Sequence, residues 1–163
     1  MMRRFLQSSL VLCAGVLGIA TASVKDTQDV AKHQKKFDLR ETILRKFLND
    51  NHCPDVAYTG MFLAEADTHG LDWRLLPSIA VAESGGGRTG KGNNHFGWAN
   101  GKKSFTSIGE AIHLVASALA HGKPYKGKDL NGKLSAYNQS VDYKVMVLSL
   151  MRQISPTVAV AAD

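Results

Sequence analysis

The sequence predicts a small all-helical domain. Apolar residues recur at helical spacing in several segments. Polar capping residues stand just ahead of some of them, and glycine or proline follows. The one stretch able to supply strands is glycine-rich and would give a short hairpin. The fold class is therefore all-α, and α+β at most.

The chain opens outside that domain. Met1-Met2-Arg3-Arg4 is basic, and Leu10 to Ala20 is apolar but too short to span a bilayer. Ala20-Thr21-Ala22 fits a small-x-small cleavage site, so residues 1–22 read as a secretory signal peptide. An uncleaved anchor is the rival reading. A lipid anchor at Cys13 is disfavoured by Leu12 in front of it. Residues 23–36 carry Lys25, Lys32, Lys35 and Lys36 and read as a solvated linker.

The folded domain is expected over 37–154. Asp38 with Glu41 makes a capping box, and Leu39, Ile43 and Phe47 form a stripe that should stop by Pro54. A second helix is expected from Asp55 to His69, closed by Gly70. Asp72 can cap a third helix ending at Glu83. Gly85 to Phe105 reads as loop or short hairpin, with Asn100-Gly101 as a tight turn and Phe96 and Trp98 arguing for order. Ser107 with Glu110 caps a helix striped by Ile108, Ile112, Val115 and Leu119 and stopped at Gly122-Lys123-Pro124. Gly122 to Gly132 reads as a second loop. A last helix over Val141 to Ile154 presents Tyr143, Val147, Leu150 and Ile154 on one face, and residues 155–163 read as a flexible tail.

Length and composition narrow the function. The chain has 163 residues, enough for one modest core. Loss of Arg3 and Arg4 with the signal peptide takes 20 Lys and Arg to 18 against 14 Asp and Glu, a mildly basic balance. That suits an anionic surface or polymer, but no aromatic-basic interleaving points to nucleic acid. Export leaves Cys53 as the one cysteine, so no internal disulfide is expected and a buried thiol is the ordinary state. His33, His52, His69, His95, His113 and His121 show no ligand spacing, so neither a metal nor another cofactor is expected. His113 and His121 stand too far apart on their helix to share an ion. No stable membrane insertion is expected after signal cleavage, and a monomer is expected.

Glu83 is the residue that points to chemistry. Leu76, Ile79 and Glu83 fall at i, i+3 and i+7, which puts a carboxylate on an apolar stripe. It also sits in the last helical turn, where the dipole disfavours negative charge. Both effects push its pKa upward, and a carboxyl kept protonated near neutral pH suits a general acid for glycoside cleavage. The competing reading is a glutamate turned to water in a fraying turn.

Four blocks then carry a resemblance. Leu71 to Gly85 resembles the catalytic helix of lysozyme-like peptidoglycan hydrolases. Asn93-Asn94-His95-Phe96-Gly97-Trp98 resembles the Asn-Asn-x-Phe-Gly signature of bacterial endo-β-N-acetylglucosaminidase domains. Phe105 to Ile112 is similar to the helix that follows it there, and Tyr137-Asn138 with Asp142-Tyr143 is similar to the closing segment. The blocks fall in the family's order between Phe37 and Ile154. The resemblance implies a lysozyme-like fold and cleavage of peptidoglycan glycan strands by a secreted, periplasmic or wall-associated enzyme. It implies Glu83 as general acid and Tyr137 as an active-site tyrosine. It also implies Ser84 orienting Glu83, and Asn94, Phe96, Gly97, Trp98 and Asn138 along the sugar groove.

A second catalytic carboxylate is missing from those blocks. Glu110 is explained as a cap, and Asp129 and Asp67 are distant candidates. A one-carboxylate scheme is favoured: hydrolysis assisted by the substrate's N-acetyl group, or lytic transglycosylation by the sugar's own hydroxyl. A non-catalytic wall-binding domain of the same fold is the rival from another class.

Overall fold

The computed structural model describes residues 37–156. The expected signal peptide, the 23–36 linker and the tail beyond Ser155-Pro156 lie outside the described residues. Six α-helices and one 3-10 turn make up the described part, which contains no strand. The expected hairpin is reduced to a single antiparallel bridge between Lys91 and Asn94.

Helix α1 (Leu39–Asp50) is capped as the sequence predicts, with the Asp38 carboxylate accepting from the Arg40 amide at 2.9 Å. Its buried face is Leu44, Phe47 and Leu48, whereas Leu39 is 59% exposed. Of the expected stripe, Phe47 is buried and Ile43 packs half-buried against the core, while Leu39 falls outside because the first turn precedes the core. The helix expected from Asp55 breaks in two. Pro54–Tyr58 is a 3-10 turn, and α2 (Thr59–His69) follows, with the Thr59 hydroxyl donating to the Val56 carbonyl. Gly70 ends α2 in a left-handed conformation.

Helix α3 (Leu75–Ser84) is the centre of the domain. Leu75, Leu76, Pro77, Ser78, Ile79, Ala80 and Ser84 are all buried, so it is covered on nearly every side. Asp72 acts one turn earlier than expected, accepting from the Arg74 amide while its carbonyl takes the Leu75 amide. Helix α4 (Ile108–His121) carries the Ser107 cap and packs along α2. Helix α5 (Leu130–Tyr137) begins within the last three residues of the segment expected as loop, capped by Asp129 on the Gly132 amide at 2.8 Å. Helix α6 (Val141–Ile154) packs against α3 and buries Tyr143, Val147, Met151 and Ile154; Leu150, expected on that face, is only half-buried.

Phe62, Phe96, Leu76, Ile79, Ile112 and Val147 are among the fully buried side chains that join these helices. No helix among the described residues is long and apolar enough to cross a membrane.

One polar tie crosses this core. Arg74 is 5% exposed; its Nη2 donates to Asp72 at 2.6 Å and its Nη1 to the Ser155 carbonyl at 2.8 Å. The first residue after α6, expected in the tail, is therefore part of the fold. Burial alone would raise the Asp72 pKa, but the bonds and charge of Arg74 outweigh it and hold the carboxyl below its ordinary value. Arg74→Met keeps the apolar bulk and removes the guanidinium. It should cost about 3 kcal/mol in urea unfolding. The Asp72 contribution is present above the ordinary carboxylate pKa and is lost as pH falls through the lowered folded value. The gap between wild type and variant should therefore narrow in acid.

Candidate active site

Helix α3 delivers Glu83 to a cleft at the end of the buried core. Ile79 and Leu76, one and two turns back, are fully buried, and Glu83 at the exit is half-buried. The turn after it is fixed from several directions. The Ser84 hydroxyl donates to the Ala80 carbonyl at 3.0 Å and accepts from the Gly87 amide at 2.9 Å. Ser84 is 4% exposed, so it ties the loop to the helix rather than meeting a ligand. Gly86 lies against Cys53: a Cβ there would come within 2.6 Å of the thiol, and φ is +65°. Cys53 is buried as expected, and that burial pushes its thiol pKa up, the opposite of an activated nucleophile.

Asp55 and His95 support the same loop. The Asp55 carboxylate is 1% exposed and meets His95 Nδ1 at 2.7 Å. Burial raises the Asp55 pKa and the imidazole pulls it back in part. His95 sits behind the loop and does not line the cleft.

The Asn-Asn-x-Phe-Gly block proves to be a brace. Asn93 Nδ2 donates to the Phe105 carbonyl. Asn94 is 5% exposed; its Nδ2 donates to the Trp98 and Lys103 carbonyls, and its Oδ1 accepts from the Trp98 amide. Phe96 is fully buried, edge-on to Phe62. Asn94 and Phe96 are thus behind the groove wall rather than on it. Gly97 is on it: φ is +59°, and a Cβ would lie 2.3 Å from Glu83 Oε2. Glycine adopts this conformation without strain, and its missing side chain leaves the carboxylate its place.

Glu83, Gly97, Trp98, Ala99, Asn100, Gly101, Tyr125, Tyr137 and Asn138 line an open cleft of about 610 Å³. Glu83 is its only carboxylate. Glu110 accepts from Thr106, Asp129 caps α5, and Asp67 pairs with Arg40. Trp98, Tyr125 and Tyr137 form an aromatic wall with ring centres 5.8 to 6.5 Å apart. Tyr143 stacks on Tyr137 at 6.0 Å, nearly parallel. The Tyr137 hydroxyl donates to the Phe96 carbonyl, which ties α5 to the loop. Asn138 Oδ1 accepts from the Ser140 amide.

Burial pushes the Glu83 carboxyl above its ordinary pKa. The Tyr143 hydroxyl opposes this only in part. That hydroxyl is buried and faces Glu83 without completing a hydrogen bond. Burial, then the nearby Glu83 charge, raises the Tyr137 pKa as well. Both tyrosines are therefore neutral when Glu83 titrates. Among the lining residues, Tyr125, Ala99, Asn100 and Gly101 were not expected. Tyr125 is the one aromatic in the Gly122 to Gly132 segment, and that was its available signal.

Comparison with protein-family models, curated proteins and solved structures gives no match.

Gly97→Ala should destabilise the domain by about 1–2 kcal/mol from its left-handed backbone alone, with a further loss from the collision with Glu83. Urea unfolding of Gly97→Ala, Glu83→Ala and the double variant separates the two. The double variant should recover the collision part and keep the backbone part.

Proposed function

We propose that this chain is a secreted lysozyme-like domain that cleaves the N-acetylglucosamine-containing glycan strands of peptidoglycan. The observation that carries the reading is Glu83, a carboxyl with a raised pKa and the only one lining an aromatic-walled cleft. An oxocarbenium-like transition state needs a proton on the leaving oxygen, and a half-buried, protonated Glu83 can give it. The Trp98 ring offers an apolar face to a sugar. Tyr137 has committed its proton to the Phe96 carbonyl, so its oxygen offers lone pairs to an acetamide N–H or a developing positive charge.

With one carboxylate, the nucleophile comes from the substrate. In hydrolysis, the acetamido oxygen attacks C1 as Glu83 protonates the departing oxygen, and Glu83 then takes a proton from the water that opens the ring. The second reading is lytic transglycosylation, in which a muramic hydroxyl attacks C1 and an anhydro end results. The lone carboxylate favours both schemes over a two-carboxylate mechanism.

Digestion of insoluble peptidoglycan, with mass spectrometry of the released fragments, is the test. Reducing-end N-acetylglucosamine products indicate hydrolysis, and anhydro-muramic products indicate transglycosylation. Glu83→Gln should lower the rate by about 10²–10⁴-fold. Retained wall binding with no release by wild type would leave a non-catalytic binder. The acid must be protonated to act, so the rate should fall as pH rises through the Glu83 pKa, with the limb above the ordinary carboxylate range. A falling limb inside that range would sink the general-acid role.

A further inference from the structure

Helices α2 and α4 place a second group of chemically active side chains together. Glu65 and His69 are one turn apart on α2, and His113 and His121 lie on the facing side of α4. Glu65 Oε2 is 3.0 Å from His113 Nδ1 and 3.4 Å from His69 Nε2. All three atoms lie within 4.8 Å of one another. None of these residues lines the Glu83 cleft. Sequence spacing hid the group, because its members come from two helices. His113 and His121 do not share an ion by spacing along α4; His69 stands between their rings, with centres 5.9 and 5.3 Å away.

His69 supplies the second, independent observation. Its side chain is 10% exposed, and its Nε2 is buried with no hydrogen-bond partner. Its Nδ1 is engaged with His121 Nε2 at 3.2 Å. When Nδ1 holds the proton of that bond, Nε2 carries a bare lone pair aimed at a carboxylate oxygen. Two lone pairs facing each other, one of them on a nitrogen closed off from solvent, call for a cation between them.

We propose that Glu65, His69 and His113 bind a divalent transition-metal ion of the zinc class. Two imidazoles and one carboxylate are a fitting donor set for it, and hard-cation oxygen cages are not formed here. Neighbouring ligand atoms around a tetrahedral zinc stand roughly 3.3–3.5 Å apart, close to the two short distances seen. His121 holds the His69 ring and fixes its tautomer through the other nitrogen, as outer partners of metal-bound histidines do. His113 is 60% exposed, so the fourth position opens to water. The ion would staple α2 to α4.

The test is zinc binding to the purified full chain, by calorimetry and metal analysis after dialysis. One equivalent of Zn²⁺ should bind and raise the melting temperature, with no such rise in Mg²⁺ or Ca²⁺. His113→Ala alters an exposed residue and should fold, yet lose that equivalent. His121→Phe should weaken binding by about 10- to 100-fold. Cys53→Ser should bind as wild type does. With Co²⁺ in place of zinc, visible absorption should match mixed nitrogen and oxygen ligation and disappear in His113→Ala. No stoichiometric zinc, or zinc retained in His113→Ala, overturns the proposal.

Discussion

The site depends on one constraint: α3 has almost no free face. A helix packed on nearly all sides cannot shift or rotate without opening the core, so the residue at its exit inherits that rigidity. Glu83 is that residue. Its elevated pKa follows from the same fact, since walls that immobilise the carboxyl also exclude the water that would stabilise its charge.

The opposing wall is built differently. It is irregular backbone, held by side-chain amides in place of a strand ladder. Asn93 and Asn94 bond carbonyls and an amide across the loop, Phe96 anchors it below, and Tyr137 ties it to α5. Gly97 is where the two walls meet, and the missing side chain there is what lets backbone approach the carboxyl. A rigid acid on one side and a braced loop on the other give a preorganised cleft.

Much of this was legible because the signals were local. Asp38, Ser107 and Gly70 marked helix ends, and the Leu76-Ile79-Glu83 spacing put the carboxyl at the edge of the core. Helix α5 was not legible: it is short, contains Gly132, and buries only Leu134, so it has almost no stripe. The Asn-Asn block looked like groove lining because its partners are main-chain atoms up to 12 residues away, which no pattern reveals. The same limit hid Tyr125 in a glycine- and lysine-rich segment and dispersed His69, His113 and His121 along the chain.

The bond from Arg74 to the Ser155 carbonyl joins residues 81 positions apart. It sets an order of events during synthesis. The central helix is among the middle elements to leave the ribosome, but its last polar anchor is almost the final described residue. Until that end is released, α3 can pack against α2 but lacks both α6 and its carbonyl tie. Contacts of such long sequence separation form late and slowly. The domain thus completes its core only once α6 and Ser155 have emerged, and the cleft that depends on α3 is assembled after all six helices have been made.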